Sequence, residues 1–330
     1  MNITFKAFVV KKESSNFVRT IETKFLEDLP NGDVLIRVHY SSLNYKDGLS
    51  CIGNVGVTRK YPHIPGIDAS GVVVSSNSLN FKEGDNVFVI GTELGMNHWG
   101  GFSQYIRVPE SWVTLLPEDL TLKDAMIFGT AGLTAALAVN ELINQKITID
   151  LSPILVTGST GGIGSFSVGI LSKLGYNVTA STGKKTSNDF LINLGANNVI
   201  YRLDLDDKTG MILLKQKWAA CIDTVGGNIL STILRSSKDK GIIVSTGMVS
   251  SQNLNLTVMP FILRGIKLVG INTQSTSFEV RNQIWKLLAN SWKPINFEQI
   301  YTECNLEDLD SYIDKILNGE ILGRVLIKIN

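Results

Sequence analysis

The chain has 330 residues, of which 44% are hydrophobic and 18% are charged, and its formal net charge is +1. This length exceeds that of one typical domain, so the sequence predicts two packed domains. Lysine and arginine are scattered along the chain without a basic block, which argues against nucleic acid as a partner.

Cysteine spacing and the N-terminal sequence indicate the cellular compartment in which the protein is expected. Cys51, Cys221 and Cys304 are far apart and form no CxxC pair, which argues against disulfides and a structural zinc site. The N-terminus "MNITFKAFVVKK" lacks a positively charged start followed by an apolar stretch. No window approaches the length of about 18 apolar residues that a membrane span needs. The sequence therefore predicts a cytoplasmic protein without a membrane segment.

The first part of the chain is rich in short strands. From residue 3 to about 120, β-branched runs such as "DVLIRVHYSSLN" and "ASGVVVSS" alternate with turn signals. In "TLKDAMIFGTAGLTAALAVNELI" the apolar residues recur every three or four positions, which is typical of a helix. We place a domain boundary at residue 124.

Beyond this boundary strands and helices alternate. Apolar runs such as "PILVTG", "NVTAST", "WAACIDTVG" and "GIIVSTG" are separated by helical patterns. This alternation predicts a doubly wound parallel sheet over residues 125–273. Residues 274–330 have the pattern of two amphipathic helices and a final strand.

The stretch "ILVTGSTGGIG" at 154–164 ends a strand on glycines and opens a helix. Gly158, Gly161 and Gly164 follow one another with two residues between consecutive glycines. A missing Cβ lets the chain turn sharply and lets a pyrophosphate approach the free N–H groups at the helix start. A purely structural turn is the alternative, but the strand–turn–helix context and the following units favour a dinucleotide site.

The end of the second strand of this region bears on the cofactor. An NAD enzyme usually has an acid about 20 residues beyond the glycine motif, where it binds the ribose hydroxyls. Here the sequence is "VTASTGKKTSND", with Thr182, Gly183, Lys184 and Lys185 in that place. These hydroxyl and ammonium groups would donate hydrogen bonds to a 2′-phosphate, which favours NADPH as the cofactor. The alternative is a solvated pair of lysines in a loop.

Several stretches resemble the medium-chain dehydrogenase/reductases, and most closely the zinc-independent YhdH/YhfP-type quinone oxidoreductases, which include NADPH-dependent acrylyl-coenzyme A reductases. The resemblance covers the chain from end to end. It implies an α/β fold with a GroES-like β-rich catalytic domain (1–124), a Rossmann NADP-binding domain (125–273) and a C-terminal segment that returns to the catalytic domain (274–330). The matching stretches are "SSLNYKDGL" (41–49), "PHIPGIDASGVV" (62–73), "NHWGGFSQY" (97–105), "GTAGLTA" (129–135), "VTGSTGGIGS" (156–165), "CIDTVGG" (221–227), "TVMPFILRG" (257–265) and "GRVLIKI" (323–329).

The zinc ligands of related alcohol dehydrogenases are replaced in this chain. Those enzymes have a cysteine ligand where this sequence has "LNYKD", and Gly-His-Glu where it has Gly66, Ile67 and Asp68. The lobe with four cysteines is replaced by "GTELGMNHWGG". The sequence therefore predicts no metal site. Hydride addition to an activated C=C bond needs no Lewis acid, because a thioester or quinone carbonyl already withdraws charge from the β-carbon.

The resemblance also implies binding roles for matching positions. Tyr45 would lie beside the nicotinamide, and Arg324 would close over the cofactor. Lys184 stands where relatives can have arginine, so its hold on the 2′-phosphate lacks the bidentate fork. The other implied contacts are with the pyrophosphate (Thr160, Gly161, Gly162, Ile163), the 2′-phosphate (Thr182, Gly183), the adenine end (Arg202) and the nicotinamide side (Met248, Ile262, Thr273).

Tyr45 is the candidate catalytic residue. Hydride addition at the β-carbon leaves an enolate that needs a stabilising donor and a proton. A phenol can supply both, although a ribose hydroxyl or water can also do so.

Other polar residues have mainly structural interpretations. His39 is expected at a core or edge position, whereas His98 lies in a loop from which it could reach the substrate. Cys51 and Cys221 are expected to be buried. Asp47 and Asp68 are expected to cap backbone N–H groups, with a role as acids in the cleft as the alternative.

These observations predict an NADPH-dependent reductase that transfers hydride to an activated C=C bond, with a short-chain enoyl-CoA such as acrylyl-CoA as the first choice of acceptor. The alternatives are an NADPH:quinone oxidoreductase and a non-catalytic nucleotide-binding protein. The strand "IKLVGINT" at 266–273 would leave an apolar open edge. Since relatives commonly pair two such edges, we expect a homodimer.

Overall fold

The computed structural model describes residues 3–329 and forms two compact units. The first unit combines the chain up to Thr130 with the segment from Tyr301 onward, and the second unit is Ala131–Ile300. The boundaries expected at 124 and 273 are therefore displaced, and residues 274–300 belong to the second unit.

The strands alternate with helices mainly in the second half of the chain. The strands are β1 (Thr4–Glu13), β2 (Asn16–Phe25), β3 (Val34–Leu43), β4 (Ala69–Ser76), β5 (Asn86–Val89), β6 (Tyr105–Val108), β7 (Val113–Leu115), β8 (Ile154–Val156), β9 (Val178–Thr182), β10 (Asn198–Tyr201), β11 (Trp218–Asp223), β12 (Ser237–Ser245), β13 (Lys267–Gly270), β14 (Tyr301–Asn305) and β15 (Arg324–Lys328). The helices are α1 (Tyr45–Cys51), α2 (Leu122–Asn144), α3 (Gly162–Lys173), α4 (Asn188–Asn193), α5 (Gly227–Arg235), α6 (Met259–Arg264), α7 (Phe278–Ala289) and α8 (Leu309–Leu317). Short 3-10 helices lie at Leu26–Asp28, Glu110–Trp112, Arg202–Leu205, Thr273–Ser275, Phe297–Gln299 and Leu306–Asp308.

The first unit is built around a mixed sheet with the order β14-β15-β3-β4-β5-β7, and β6 also pairs with β3. β1 and β2 form a separate antiparallel pair. β15 pairs antiparallel with β3, so the end of the chain completes the sheet of the first unit. Residues of both segments, such as Ile36, Phe102 and Ile327, are buried in one core.

The second unit contains a six-stranded parallel sheet with the order β10-β9-β8-β11-β12-β13. β8 and β11 are buried along their whole length and apolar except for Asp223 at the end of β11, as expected for strands that have helices on both faces. The chain crosses from one side of the sheet to the other between β8 and β11, and ligands of such sheets bind at the carboxyl ends of the strands at this point. The predicted α/β fold class, with a β-rich and a doubly wound domain, is confirmed.

Residues 274–300 stay with the second unit because their apolar side chains pack there. Ile284, Trp285 and Leu288 on α7 are buried. Phe297 follows this helix, and its ring centroid is 6.3 Å from that of Phe166 on α3. The amphipathic pattern predicted the helix but could not predict which domain it covers.

Helix α2 is apolar and long enough to meet the length and hydropathy criteria for a membrane span, which corrects the expectation that no such window exists. However, 78% of its most apolar window is buried within the structure. The backbone at Gly129 is not helical, with φ 51°, so the helix is broken there. These two features are those of a core helix in a globular domain.

Candidate active site

In the turn after β8, the glycine backbone lies very close to other parts of the protein. Gly158 has φ 56°, and a Cβ there would lie 2.2 Å from Thr224 Oγ1. A Cβ on Gly164 would lie 2.2 Å from the carbonyl oxygen of Gly158. Packing within the protein therefore requires glycine at both positions.

Gly161 differs from these two glycines. A Cβ there would meet only the carbonyl oxygen of Gly158, at an ordinary contact distance of 3.4 Å. The protein's own packing therefore does not explain why this position lacks a side chain. A ligand that approaches the backbone closely at the start of α3 would explain it, so this position fits the predicted dinucleotide.

The N-terminus of α3 supplies donors for an anion. The first helical bond runs from the N–H of Ser165 to the carbonyl oxygen of Gly161, at 2.8 Å. The N–H groups of residues 162–164 precede this bond and have no acceptor within the helix. Three predicted pyrophosphate contacts, Gly161, Gly162 and Ile163, thus lie at one helix end, next to Thr160, which is buried.

The loop after β9 is held by its own polar groups. The N–H of Lys184 donates to Thr182 Oγ1 at 3.0 Å, and the carbonyl oxygen of Lys184 accepts from Ser187 Oγ at 2.7 Å. Thr182 is only 3% exposed, so its hydroxyl serves the turn. These bonds therefore fix the backbone of the loop at Lys184.

Arg202 lies against this loop. A Cβ on Gly183 would be 2.9 Å from the Cδ and Nε atoms of Arg202, so only glycine lets the arginine pack there. Lys185 Nζ lies 5.8 Å from the ring centroid of Tyr201, the residue before Arg202. The structure thus brings the predicted residues Gly183, Lys184 and Arg202 together at the ends of β9 and β10, where positive charge accumulates.

The residues predicted for the nicotinamide side belong to the other half of the same sheet: Met248 follows β12, Ile262 lies on α6, and Thr273 follows β13. Met248 is 65% exposed and Ile262 is 69% exposed, whereas Thr273 is buried and its hydroxyl is 2.7 Å from Thr134 Oγ1. Met248 also lines a cavity of about 340 Å³ beside the start of α5. The exposed apolar side chains are available for a planar ring, and their contact with it stays a prediction.

In the first unit, Tyr45 is the first residue of α1 and its side chain is 40% exposed. Asp47 fixes the start of this helix, because its carboxylate accepts from the N–H groups of Asn44 (2.8 Å), Gly66 (3.1 Å) and Ile67 (2.9 Å). The capping role predicted for Asp47 is confirmed. The helix is thereby tied to the loop at Gly66, and Tyr45 has a defined position.

Asp47 is fully buried, and this burial raises the pKa of its carboxyl group to about 7. The nearby carboxylate of Asp68 raises this pKa further, whereas the three N–H donors lower it. The Asp47 carboxyl group is thus held by three backbone N–H groups, and no cation among residues 3–329 forms an ion pair with it within 4.0 Å; Arg324 acts on it only through longer-range electrostatics.

Asp68 and Arg324 form the centre of a buried polar network. Asp68 Oδ2 accepts from Ser42 Oγ and Asn44 Nδ2, both at 2.8 Å, and from the N–H of Thr130 at 2.9 Å. Arg324 NH2 lies 3.6 Å from the same oxygen. Both side chains are almost completely inaccessible to solvent.

The guanidinium of Arg324 uses its donors within the first unit. It donates to Ser42 Oγ (2.7 Å), to Asn44 Oδ1 and the carbonyl oxygen of Leu43 (both 3.0 Å), and to the carbonyl oxygen of Ile127 (3.3 Å). The structure therefore places Arg324 inside the protein and only 3% exposed. Its contact with the cofactor, implied by the resemblance, stays a prediction.

Sequence reasoning missed this network. Ser42, Asn44 and Thr130 received no role, and their polar side chains gave no signal because "SSLN" also fits an ordinary strand end. Gly129 offered a weak signal: a Cβ there would lie 2.6 Å from both Arg324 NH2 and Asp68 Oδ2. A glycine inside an apolar helix can mark such a close approach.

The remaining candidates are packed inside the protein. His98 Nδ1 is 3.0 Å from the carbonyl oxygen of Trp99, and its ring packs edge-on against Trp112; its contact with a substrate stays a prediction. Cys51 and Cys221 are buried as predicted, and burial raises the pKa of both thiols. Within residues 3–329, no group of three His, Cys, Asp or Glu side chains could hold a metal ion.

Known proteins resemble the chain over its whole length. Residues 30–118 match the alcohol dehydrogenase GroES-like domain family, and residues 162–290 match the zinc-binding dehydrogenase family. YhfP of Bacillus subtilis, named as a quinone oxidoreductase, is 41% identical over 100% of both chains. Acrylyl-CoA reductase AcuI of Ruegeria pomeroyi is 40% identical over 99% of both chains.

Solved structures agree with this relationship. YhdH from Salmonella enterica in complex with NADP has a TM-score of 0.95 and 37% identity, covering 98% of this chain and 100% of its own. YhfP with NAD bound also has a TM-score of 0.95, with 41% identity and 99% of both chains covered. Together with the glycine turn, the exposed Tyr45 and the replaced zinc ligands, these matches show that the chain belongs to the YhdH/YhfP-type quinone oxidoreductase and acrylyl-CoA reductase group of medium-chain oxidoreductases.

Proposed function

We propose that the chain is an NADPH-dependent reductase that transfers hydride to an electron-poor C=C bond, with a short-chain enoyl thioester such as acrylyl-CoA as its acceptor. The observation that carries the proposal is the glycine at position 161. A Cβ there would clash with no protein atom, and the free N–H groups of α3 begin next to it. The 40% identity to AcuI supports the thioester as acceptor. The 41% identity to YhfP supports a quinone as the second candidate.

NADPH, when bound, supplies the hydride, and the protein supplies the binding and proton chemistry. The helix end at Gly161–Ile163 would hold the pyrophosphate, and Lys184 with Arg202 would neutralise the 2′-phosphate. Tyr45, held by the capped start of α1, would donate a hydrogen bond and then a proton to the enolate. Asp47 keeps that helix start in place through three backbone bonds.

The acceptor can be tested by following NADPH oxidation with acrylyl-CoA and with a benzoquinone in parallel. We expect a higher kcat/KM with acrylyl-CoA, because the thioester carbonyl activates the β-carbon for hydride addition. A higher kcat/KM with the quinone would assign the second candidate. Oxidation with neither acceptor would contradict the proposed reaction class.

Replacing Lys184 with alanine is expected to raise the KM for NADPH roughly tenfold, because a charge-assisted contact with the 2′-phosphate would be lost. The KM for NADH should not change, since NADH lacks this phosphate. Lys173→Ala is the matched control, because Lys173 is an exposed lysine in the last turn of α3, away from the loop after β9. Steady-state kinetics with both cofactors measures the effect, and equal kcat/KM for NADPH and NADH in the natural protein would contradict the NADPH preference.

We further propose a homodimer formed through β13. In the part of the chain that the structure describes, this strand is the last in its sheet and pairs with β12 alone. The N–H of Ile271 donates to the carbonyl oxygen of Ser245 on the β12 side, so alternation along the strand directs the N–H of Gly270 away from β12. An open edge of this kind can pair with a second copy across a two-fold axis.

Gly270→Pro is expected to convert the dimer to a monomer, because proline removes an N–H that faces the open edge. A Cβ at Gly270 meets no atom within 4 Å, so the sheet itself should tolerate the change. Gly270→Ala, which keeps the N–H, should remain dimeric. Light scattering gives the mass, and a monomeric natural protein at micromolar concentration would refute the dimer.

A cytoplasmic location remains part of the proposal. It is supported by the three cysteines, which are all buried and free. Reduced thiols are typical of cytosolic proteins.

A further inference from the structure

A polar cavity of about 350 Å³ lies in the first unit around the middle of β3. Arg37, His39 and Tyr40 of β3 line it, together with Tyr105 of β6 and Lys328 of β15. Tyr105 pairs with Arg37 across the β3–β6 ladder, and Lys328 pairs with Tyr40 across the β3–β15 ladder. Three strands thus bring two cations, an imidazole and two phenols to one space, which has no part in the proposed reaction.

A β-bulge creates this convergence. In the β3–β4 ladder Val38 pairs with Gly71, but the register shifts before Tyr40, so His39 is an additional residue. A Cβ on Gly71 would lie 2.0 Å from the carbonyl oxygen of Arg37, so the bulged backbone requires glycine on the facing strand. Bulges redirect side chains, and here consecutive residues line one cavity instead of alternating between two faces.

The cavity has an excess of positive charge. Residues of β1, β3, β6 and β15 line it. β3, β6 and β15 contain no aspartate or glutamate, and the one acid of β1, Glu13, lies at the opposite end of that strand from the lining residue Thr4. Glu303 on β14 and Glu307 after it are each paired with another lysine, at 2.8 and 3.4 Å. Among residues 3–329, Arg37 and Lys328 have no carboxylate within 4.0 Å. Both cations are therefore available to an external anion.

His39 adds a neutral hydrogen-bonding group to the cavity. Burial, followed by the charge of Arg37, lowers the pKa of its imidazole and thereby favours the uncharged form. On the adjacent β6, Arg107 is directed elsewhere, to the carbonyl oxygens of Leu26 and Leu29. Among residues 3–329, the charged and phenolic groups that line the cavity with His39 are Arg37, Lys328, Tyr40 and Tyr105, and none of the lining residues is an acid.

We propose that this cavity is a binding site for a small phosphate monoester, with Arg37 and Lys328 contacting the phosphate group. The guanidinium fork and the ammonium match the several oxygens and double charge of such a group. The phenol and imidazole groups supply further donors. The volume of about 350 Å³ leaves room for a small organic part beside the phosphate.

The chain has only three histidines, so NMR of protein labelled with ¹³C in histidine can report on His39 directly. His39→Gln identifies its signal. Titration of the full chain with inorganic phosphate and with glycerol 3-phosphate, at constant ionic strength, should shift this signal to saturation and raise the pKa of His39. Glycerol, which has no charge, should leave the signal unchanged.

Matched variants separate this site from the proposed cofactor site. Arg37→Ala and Lys328→Ala should each weaken phosphate binding roughly tenfold or more, because each removes a charge-assisted contact. Lys12→Ala, which removes an exposed lysine outside the cavity, and Lys184→Ala should leave the His39 shift unaltered. The proposal is overturned if neither phosphate shifts the His39 signal, or if Arg37→Ala and Lys328→Ala bind as the natural protein does. The NMR measurement needs neither NADPH nor an acceptor. Its result is therefore independent of the test of the proposed reaction.

Discussion

Replacing Tyr45 with phenylalanine is expected to lower kcat with acrylyl-CoA by roughly 10²–10⁴-fold, the range that general acid catalysis contributes. The phenol is the proposed donor to the enolate oxygen and the proposed source of the proton. The substitution removes only the hydroxyl and keeps the ring. The side chain is 40% exposed at the start of α1, so the fold should be unaffected. Steady-state kinetics with NADPH and acrylyl-CoA measures the loss.

Tyr312→Phe provides the matched control, because Tyr312 lies on α8 of the same unit and outside the proposed site. It should change neither kcat nor KM. A mild loss in kcat combined with a higher KM for NADPH would assign Tyr45 to positioning of the nicotinamide. An unchanged kcat and KM in Tyr45→Phe would contradict both roles.

The part of the site that is built from backbone could be predicted from sequence. The glycines after β8 constrain the chain locally, so their spacing after an apolar strand indicated the turn and the helix N-terminus. The missing acid after β9 is likewise a local feature. In the structure Gly161 and Lys184 lie at adjacent strand ends of one parallel sheet, β8 and β9, as the alternation of strands and helices predicted.

The part that depends on distant side chains could not be predicted in this way. Asp68 and Arg324 are separated by more than half of the chain and meet because β15 pairs with β3. The sequence pattern contains no information on this pairing. For the same reason the sequence did not predict that α7 packs in the second unit. An amphipathic pattern shows that a helix has a buried face, but it does not show which domain buries that face.

Arg324→Ala is expected to destabilise the protein by about 3–5 kcal/mol, the cost of leaving a buried charge without its partner. Asp68 is completely buried and would keep four hydrogen-bond donors, which are the Ser42 hydroxyl, the Asn44 amide and the N–H and hydroxyl of Thr130. It would lose the only positive charge within 4.0 Å of its carboxylate among residues 3–329. The acceptors at Leu43 and Asn44 would also lose their donor. Urea unfolding of the cofactor-free protein at fixed concentration, followed by tryptophan fluorescence, measures the shift in the midpoint.

Arg19→Ala is the matched control, since Arg19 pairs with Asp310 and Asp314 at 2.7 and 3.0 Å, and both partners are exposed. The two carboxylates that lose Arg19 remain exposed to water, so this variant leaves no unpaired buried charge and should lose much less stability than Arg324→Ala. Adding Asp68→Asn to Arg324→Ala should recover part of the loss, because the buried negative charge is then removed together with its partner. A midpoint for Arg324→Ala that equals that for Arg19→Ala would show that the guanidinium does not balance the charge of Asp68, and would leave contact with the cofactor as the role for Arg324.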